Sequence, residues 1–461
     1  MKRIINILIF DIALIVFIVL FVMLSKRWLK GINYSSYKEC CCVMENNSKV
    51  TENQRKKLSF DDEADVKDVE TLKICNIETD DKYKEYRKCI IKMVISDISN
   101  NYYHSNSKLY SNDIIKDDKG RRYGKDIDLD EKITCIKSFH SESGIRISDA
   151  HNSKFNYKGN VIIYPTKKGF VIINQIEMEE YIKGVVASEM PDSFDIEAKM
   201  AQAVCSRSYL LCNKGKLTID GITADLDDTT RYQVYGSQEP SDLTEKAVEN
   251  TKGLILEKND RILNSTFFST SCGFTADSTV WNDNEIRIQS CFVGIKDKNT
   301  INVSGEDNFE RYLKSGGNAY EEKCLYFRWS VNINENTVFE NMKYLGINIG
   351  SIKDIKIKDR GAGGIVKTLL ILGTEGKFIC NNQYDIRKVL APNNEIIVLN
   401  GGDKRSGGNI LPSAFFIIKK QKEKYCVVGG GFGHGVGMSQ YGAQKMAQSG
   451  KNYIEILNMF F

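Results

Sequence analysis

Proline, histidine and tryptophan are scarce in this sequence, and charge of one sign does not dominate it. Its 461 residues include 5 Pro, 4 His and 3 Trp. So little proline excludes collagen-like and mucin-like chains, and a hydrophobic content of 42% excludes global disorder. Lys and Arg number 64 against 60 Asp and Glu, and a net charge of +4 does not provide the electropositive field of an obligate nucleic-acid binder. We therefore expect no nucleic acid among its partners.

The sequence also lacks any Cys-x-x-Cys spacing, although it contains 13 cysteines. An odd number of cysteines without that spacing indicates neither a complete disulfide framework nor a zinc ribbon. Most of them are expected to be small apolar core residues, with a bridge or two at most. Three stand together at 40–42, just after an apolar segment, where either lipid attachment or a plain juxtamembrane run would fit.

One long apolar run stands near the N-terminus. Residues 4–24 are almost entirely Ile, Leu, Val and Phe, interrupted by Asp11, and about 20 such residues span the hydrocarbon layer of a bilayer. Basic residues precede the run and no small-x-small cleavage site follows it, so we predict an uncleaved signal anchor. Basic residues also follow it, and the charge asymmetry leaves the orientation open. Residues 25–80, rich in Lys, Glu, Asp and Asn, are predicted to be a polar spacer.

Residues 81–461 have the pattern of a folded domain. Short alternating apolar runs separated by Gly, Asn and Asp predict many strands, among them 90–95, 161–164 and 169–173. The fold class predicted for the chain is α+β: a strand-rich domain with a few structural helices, preceded by one N-terminal transmembrane helix.

Two of those helices have clear sequence signals. After Pro191, apolar residues recur at three- and four-residue steps up to Leu211, with Asp192 or Ser193 as the cap. The opposite face of this helix, predicted to be exposed, carries Lys199, Gln202 and Ser206. A second helix is predicted to start near Ser439.

One carboxylate stands where an apolar run meets the approach to the first helix. Glu189 follows Val-Ala-Ser at 186–188 and precedes Met190-Pro191. Desolvation by such neighbours would favour the protonated form of its carboxyl near neutral pH, as a general acid requires. The alternative is a Glu that merely approaches a helix and is favoured by the helix dipole.

Residues 429–443 are rich in glycine and surround a single histidine, His434. The glycines let the backbone approach a ligand closely and the following helix start offers free N–H groups, so a polysaccharide or an anion could lie there. The stretch is not a phosphate loop, because no Gly-Lys-Ser/Thr ends it. It is not a dinucleotide fingerprint either, because the strand–loop–helix unit with a downstream acidic residue is missing. A flexible loop without a ligand is the other interpretation.

A hydroxyl-rich stretch, 267–275, follows an apolar strand. Ser271 or Cys272 together with His434 would supply the nucleophile and the base of an acyl-transfer enzyme. No Gly-x-Ser-x-Gly elbow surrounds the hydroxyl, and hydroxyls at a strand end more often bond their own backbone. The other three histidines, at 104, 140 and 151, lack metal-ligand spacing and are predicted to lie at the surface.

Together these stretches resemble the stage II sporulation protein D / amidase enhancer LytB family in their order along the chain and in their residues. Residues 181–191, Tyr-Ile-Lys-Gly-Val-Val-Ala-Ser-Glu-Met-Pro, resemble the family's Tyr-x-x-Gly-Val-Val-x-x-Glu-Met-Pro motif. Residues 201–209 resemble its Ala-Gln-Ala-Val-x-x-Arg-Thr-Tyr, with Ser in place of Thr. Three shorter motifs match in turn: Gln-Val-Tyr at 233–235, Ser-Thr-Ser-x-Gly-x-Thr at 269–275 and Gly-His-Gly-Val-Gly-Met-Ser-Gln-Tyr-Gly-Ala at 433–443. The resemblance covers about residues 82–461, and its last motif is highly specific.

The resemblance implies an activity. Enzymes of this family are lytic transglycosylases that cut peptidoglycan glycan strands, preferring strands stripped of peptide stems, during engulfment of the forespore. One Glu can protonate the glycosidic oxygen and then take the proton of the sugar's own 6-hydroxyl, whereas a hydrolase needs a partner carboxylate about 5–10 Å away. The resemblance gives the catalytic role to Glu189. It gives roles in substrate binding to Arg207, Gln202, Ser271, His434, Gln440 and Tyr441.

The resemblance also implies partners and a location. The expected partners are glycan strands, a cell-wall amidase and other engulfment proteins, with the N-terminal helix in the cell membrane as a single-pass anchor. The catalytic domain would lie outside the cytoplasm, because its substrate is there. The alternative, suggested by the enhancer branch of the family, is a non-catalytic glycan-binding protein that stimulates a cell-wall amidase.

Two departures from the family pattern bear on these expectations. Some relatives carry a zinc site built from Cys and His just ahead of the Gln-x-Tyr element, but residues 224–232 contain neither residue type. We therefore expect no metal and no other cofactor. Cys272 stands where relatives usually have Gly, and Phe460-Phe461 where a Pro-Gly ending would be expected, so the activity could be altered.

Overall fold

The structure is a computed structural model that describes residues 72–105, 107–130, 133–281, 288–294, 302–303, 305–315 and 318–461. The predicted transmembrane segment 4–24 and the cysteines at 40–42 lie outside these residues. Among the residues described, no helix is long and apolar enough to cross a bilayer, and the membrane anchor stays a prediction. The ten cysteines in this part of the chain are free thiols, so the one or two disulfide bridges that the sequence suggested do not form among them.

Eight α-helices occur in the described part of the chain. They are α1 (Met178–Glu189), α2 (Ile196–Asn213), α3 (Asp242–Asn250), α4 (Glu306–Ser315), α5 (Glu335–Tyr344), α6 (Gln383–Val389), α7 (Gln440–Gln448) and α8 (Tyr453–Phe460).

The strands are short and numerous. They are β1 (Lys73–Asn76), β2 (Ile90–Ile95), β3 (Lys108–Tyr110), β4 (Lys116–Asp117), β5 (Asp126–Asp128), β6 (Lys137–His140), β7 (Arg146–Ile147), β8 (Asn160–Thr166), β9 (Gly169–Glu177), β10 (Leu217–Ile219), β11 (Ile222–Ala224), β12 (Leu226–Asp227), β13 (Leu254–Lys258), β14 (Arg261–Ile262), β15 (Phe267–Phe268), β16 (Trp329–Asn334), β17 (Ile352–Arg360), β18 (Val366–Gly373), β19 (Lys377–Cys380), β20 (Ile396–Leu399), β21 (Lys404–Ser406), β22 (Phe416–Gln421), β23 (Lys424–Gly429) and β24 (Met438–Ser439).

These strands form two larger sheets and several small ones. The first has six strands in the order β12-β2-β9-β8-β6-β4, and the second has five in the order β21-β20-β16-β23-β22. Three-stranded sheets are β1-β13-β14, β5-β3-β7 and β17-β18-β19, and β10-β11 and β15-β24 are pairs. The mixture of strands and helices confirms the predicted α+β class for the described residues.

The folded part begins upstream of the predicted boundary at residue 81. Strand β1, within the predicted spacer, pairs antiparallel with β13 through Lys73 and Glu257. Ile74 of β1 packs, half-buried, against the apolar core. The polar composition of the stretch therefore hid a strand that gains its stability from a partner about 180 residues away in sequence.

Helix α2 lies between two apolar cores. Its Ala201 and Val204 belong to the core that also contains residues of α7, α8 and the five-stranded sheet. Its Ala203 and Leu210 belong to the core under the six-stranded sheet. Because both sides of the helix are covered, it has no exposed polar face along its middle turns.

The prediction of that exposed face was wrong. Lys199, Gln202 and Ser206 are all fully buried. Lys199 donates to the Thr244 hydroxyl at 2.9 Å, and Gln202 donates to the Ser206 hydroxyl at 3.1 Å. Internal hydrogen bonds of this kind replace the lost contacts with water. The N-cap of the helix is Asp195, whose side chain accepts from the Glu197 N–H, rather than the predicted residues 192 or 193.

Helix α1 was not predicted, because a glycine and two valines in its centre weaken the helical signal. Gly184 is required there by packing: a Cβ at this position would lie 2.4 Å from Cε2 of Tyr235. The two tyrosine rings of Tyr181 and Tyr235 stack with centroids 5.2 Å apart. Tertiary packing, not local propensity, therefore forms the helix that ends at Glu189.

Strands β15 and β24 bring two distant segments together. They pair in parallel, Phe267 with Met438 and Phe268 with Ser439. The hydroxyl-rich stretch after β15 therefore lies beside the start of α7, where Ser439 is the N-cap and accepts from the Gly442 N–H, as predicted for a helix starting near Ser439. This pairing builds one side of the candidate site.

His104 is fully buried, which contradicts its predicted surface position. Its Nε2 lies 2.9 Å from the Ile95 carbonyl oxygen and its Nδ1 lies 3.0 Å from Oδ1 of Asp149. Both ring nitrogens thus lie near oxygen atoms, an arrangement that favours the protonated ring. Burial alone would lower the pKa of His104, but Asp149 and the carbonyl outweigh burial, and the pKa is raised.

Candidate active site

Glu189 is the last residue of α1 and its side chain is half-buried. Oε1 accepts a hydrogen bond from the Val234 backbone N–H at 2.7 Å. Oε2 accepts from the Gln440 side-chain amide at 3.4 Å. The alternative of a carboxylate favoured by the start of a helix does not hold, because Glu189 ends one helix and lies seven residues before the next. Amides from two distant segments instead hold the carboxylate.

A series of buried amides continues behind Glu189. The Gln440 amide nitrogen also lies 3.5 Å from Oε1 of Gln202, whose own amide donates to the Ser206 hydroxyl. The Gln233 amide donates to the Ser206 carbonyl at 3.4 Å. All these side chains are buried. Of the predicted substrate-binding residues, Gln440 thus contacts the Glu189 carboxylate, and Gln202 lies behind it in contact with Gln440.

The loop that carries Val234 is held by a buried carboxylate. Oδ1 of Asp227 accepts from the N–H and the hydroxyl of Thr229, at 2.8 and 2.6 Å. Oδ2 accepts from the Tyr102 hydroxyl at 2.8 Å and pairs with Arg231 at 3.0 Å. Asp227 is fully buried, so these donors compensate its loss of hydration.

The residues of this loop do not fit a zinc ion. The carboxylate oxygens of Asp225 and Asp227 already bind protein donors. Asp225 accepts from the Lys92 N–H at 2.8 Å and pairs with Lys214 at 2.9 Å. Across the described ranges, no group of three or more His, Cys, Asp or Glu side chains could hold a metal. Protein donors occupy the oxygens that a metal would need. That the chain works without zinc stays a prediction.

Ser271 is held by a second carboxylate, that of Glu321. Its backbone N–H donates to Oε1 of Glu321 at 2.9 Å, and its hydroxyl donates to Oε2 of the same carboxylate. The Ser439 hydroxyl donates to Oε1 of Glu321 at 2.6 Å. Ser271, Ser439 and Glu321 are all fully buried. Burial raises the pKa of Glu321 to about 7, although the hydrogen bonds from the two serines act in the opposite direction.

His434 is buried and held by backbone on both ring nitrogens. Nε2 donates to the Phe267 carbonyl at 2.8 Å, and Nδ1 accepts from the Val436 N–H at 3.2 Å. Burial lowers its pKa to about 3, and Arg387 contributes in the same direction, so the ring is neutral. A general base must reach the proton that it abstracts, and here the ring nitrogens are occupied. The structure supports neither a substrate contact for His434 nor its pairing with Ser271 or Cys272 in acyl transfer.

Arg207 lies at the other end of α1. Its guanidinium binds both oxygens of Glu179, with Nε at 2.9 Å from Oε1 and Nη2 at 2.7 Å from Oε2. It also donates to the Val248 carbonyl at 3.0 Å and the Thr251 hydroxyl at 3.3 Å. Ten residues of α-helix separate positions 179 and 189, a distance of about 15 Å. The substrate contact predicted for Arg207 is therefore not supported, because this buried residue joins α1, α2 and α3.

Tyr441 is half-buried beside Gln440. Its backbone N–H donates to the Ser269 carbonyl at 2.9 Å, and its ring meets Phe194 edge-on with centroids 5.1 Å apart. Phe194 lies in the connection between α1 and α2, five residues after Glu189. Tyr441 is thus a half-exposed aromatic side chain near the carboxylate, and its role in substrate binding stays a prediction.

Comparison with known proteins gives the family. Residues 166–257, which include Glu189 and Val234, match the model of the family described as Stage II sporulation protein. The Stage II sporulation protein D of Bacillus amyloliquefaciens is 30% identical over 309 residues, which cover 63% of this chain and 74% of that protein. The chain belongs to the stage II sporulation protein D family. This confirms the resemblance seen in the motifs.

Two further relatives of this stage II sporulation protein D family member come from Bacillus subtilis (strain 168). Its Stage II sporulation protein D is 29% identical over 310 residues, covering 63% of this chain and 74% of that protein. Its Amidase enhancer is 28% identical over 294 residues, covering 61% of this chain but 39% of that protein. The chain thus spans about two fifths of the length of the amidase enhancer. Residues 276–437, between β15 and β24, match a domain of unknown function.

Three contacts of this stage II sporulation protein D family member could not be found by motif. Val234 lies in the Gln-Val-Tyr motif at 233–235, but the motif does not indicate that its backbone N–H donates to Glu189. Glu179 and Glu321 are charged residues in polar stretches, Glu-Glu and Glu-Glu-Lys, that resemble solvated surface. Their burial depends on partners from other parts of the chain.

Proposed function

We propose that this protein is a lytic transglycosylase that cleaves peptidoglycan glycan strands, with Glu189 as its single acid and base. The observation that carries the proposal is the setting of Glu189: a half-buried carboxylate held on both oxygens by amide N–H groups. It lies in the segment that matches the stage II sporulation family. The membership in that family makes a cell-wall glycan the substrate to test first.

The proposed reaction needs one proton donor and acceptor. Glu189 gives its proton to the oxygen of the glycosidic bond, and that bond to C1 breaks. The 6-hydroxyl oxygen of the same sugar then bonds to C1, and its proton passes to Glu189. The products are a shortened strand and a 1,6-anhydro end, with no water consumed. Glu189 returns to its protonated form and no second carboxylate takes part.

The contact with Gln440 suits a group that changes its protonation state. A side-chain amide carries a donor on one side and an acceptor on the other. Its N–H can donate to the ionised carboxylate, and after rotation its carbonyl can accept from the protonated carboxyl. Gln202 lies 3.5 Å from the same amide and is itself a donor and an acceptor, so it can contact Gln440 in either orientation. The pair would hold Glu189 in one place through both halves of the reaction.

Location and partners follow from the substrate and are part of the proposal. Residues 4–24 would anchor the protein in the cell membrane with the domain outside the cytoplasm, where the glycan is. Sporulation, and within it the cell-wall remodelling of engulfment, would be the setting, with a cell-wall amidase removing stem peptides before strand cleavage. The apolar run supports the membrane anchor, and membership in the family supports the role in sporulation.

A second function is favoured by one comparison. A relative is named Amidase enhancer, although the chain covers 39% of it. On this alternative, the protein binds glycan without cutting it and stimulates a cell-wall amidase. Glu189 would then be a binding or structural residue.

Product analysis separates the two functions. The full chain in detergent is incubated with peptide-free glycan strands, and 1,6-anhydro ends are measured by mass spectrometry. We expect the wild type and Glu177→Gln to release them, because Glu177 is exposed and makes no side-chain cap hydrogen bond. Glu189→Gln should release fewer by at least about a hundredfold. Equal release by the wild type and Glu189→Gln would refute the enzymatic function and leave glycan binding.

A further inference from the structure

Glu321 is a fully buried carboxylate in the segment that matches a domain of unknown function. Its two carboxylate oxygens accept hydrogen bonds from two other parts of the chain. Ser271, after β15, donates through its N–H at 2.9 Å and through its hydroxyl. Ser439, at the start of α7, donates through its hydroxyl at 2.6 Å. The carboxylate therefore joins the segment that matches a domain of unknown function to the stretch after β15 and to β24.

The Ser439 hydroxyl has its hydrogen-bonding capacity filled by this arrangement. It has one proton and two lone pairs. The proton is directed to Glu321 at 2.6 Å, and the Ser269 carbonyl oxygen is a second, more distant acceptor at 3.3 Å. The lone pairs accept from the Gly442 N–H and from the Ser271 N–H, both at 3.2 Å. Its accepting contact with Gly442 is the N-cap bond of α7. Glu321 thereby fixes the rotation of the capping hydroxyl.

The helix start also rests directly on the carboxylate. A Cβ added to Gly442 would lie 3.1 Å from Oε2 of Glu321 and 3.1 Å from Cζ of Phe460. The residue after Ser439 is Gln440, whose amide contacts Glu189 at 3.4 Å. A displacement of the capped turn would therefore move the amide that contacts Glu189.

We propose that Glu321 is a positioning residue for Glu189: it holds Ser439, and through Ser439 the first turn of α7, so that the Gln440 amide stays on the catalytic carboxylate. The inference rests on the proposed function for its effect on the reaction, but its structural step can be measured without activity. The Val234 N–H donates to the other oxygen of Glu189 at 2.7 Å. Its exchange with solvent therefore reports whether the carboxylate stays in place.

The variants separate the route through Ser439 from a general loss of stability. Glu321→Leu keeps the volume but removes the acceptors. Ser439→Ala removes the link between Glu321 and α7 together with the N-cap bond to Gly442 and the contact with the Ser271 N–H. Glu321→Gln keeps one oxygen that can accept from Ser439 and serves as the rescuing variant. Glu322→Gln is the matched control, because the neighbouring Glu322 side chain is exposed.

Two measurements are made on the full chain in detergent: kcat and KM for release of 1,6-anhydro ends, and hydrogen–deuterium exchange resolved to Val234. We expect Glu321→Leu and Ser439→Ala to lower kcat at least about tenfold with little change in KM, because misplaced groups slow the chemical step more than binding. The Val234 exchange rate should rise by a similar factor relative to amides of β8 and β9. Glu321→Gln and Glu322→Gln should match the wild type in both.

The outcomes are distinguishable. If Ser439→Ala keeps the wild-type kcat and Val234 exchange, the inference is overturned, whether or not Glu321→Leu folds. A rise in exchange at Val234 no larger than in β8 and β9 would equally overturn it, because it would show only general destabilisation. If the wild type releases no anhydro ends, the proposed function fails, and the Val234 exchange alone still decides whether Glu321 positions Glu189.

Discussion

The stability of this protein should fall as pH rises through the range in which Glu321 ionises. Its carboxyl has an ordinary pKa of 4.5, and burial raises this to about 7 in the folded protein. A raised pKa means that the folded state holds the proton over a range where the unfolded state has released it. The contribution of this group is therefore fully present below pH 4.5 and is lost as pH rises to about 7. At 1.36 kcal/mol per pKa unit, the loss is about 3 kcal/mol.

Denaturant unfolding at a series of pH values from 4 to 8 measures this loss. Other groups also titrate, so the informative quantity is the difference in unfolding free energy between the wild type and Glu321→Gln at each pH. We expect this difference to change by about 3 kcal/mol across the window, the wild type losing relative stability as pH rises. The difference between the wild type and Glu322→Gln should stay flat. A flat difference for Glu321→Gln as well would refute a buried, proton-holding carboxyl at position 321.

Four further predictions test other contacts. Arg207→Ala should lower the unfolding free energy by about 3–5 kcal/mol in denaturant titration, because it leaves the Glu179 carboxylate without its buried partner; a loss typical of surface residues would contradict this. The melting temperature of the wild type should fall relative to that of His104→Gln as pH rises through the raised pKa of His104, and a constant difference between the two would contradict this. Gly184→Ala should lower the unfolding free energy by about 1–3 kcal/mol through overpacking against Tyr235, with wild-type stability as the contrary result. A chelator should leave both the melting temperature and the release of 1,6-anhydro ends unchanged. A fall in either that added zinc reverses would contradict the prediction that the protein needs no metal.

The local sequence pattern was sufficient to predict those elements whose formation depends mainly on their own residues. Strand β2 runs over Ile90–Ile95, as the alternation of its apolar residues predicts. The start of α7 follows from a capping serine and is also observed. Residue types in a motif likewise singled out Glu189 and Gln440, and the structure places the two side chains in contact.

Pattern was insufficient where a distant part of the chain decides burial. The apolar stripe of α2 predicted one buried face, but Lys199 and Gln202 are buried as well, with Thr244 and Gln440 among their partners. Helix α1 has a glycine in its centre that only the ring of Tyr235 explains. The family motifs predicted substrate contacts for Arg207 and His434, whereas in the structure Arg207 binds the Glu179 carboxylate and His434 binds a backbone carbonyl and a backbone N–H. The spacing of residues in the sequence does not show whether a polar side chain binds a ligand or another part of the protein.

The parallel pairing of β15 with β24 has a consequence for the order of folding. Phe267 and Met438 are about 170 residues apart, and closing so large a loop is entropically costly before the intervening chain is compact. Contacts of such long range form slowly. The neighbourhood of Glu189 should therefore be assembled late, after the sheets between these strands. A chain that is still incompletely folded would lack the Gln440 contact, and the glycan cleavage proposed for Glu189 would appear only once both segments have come together.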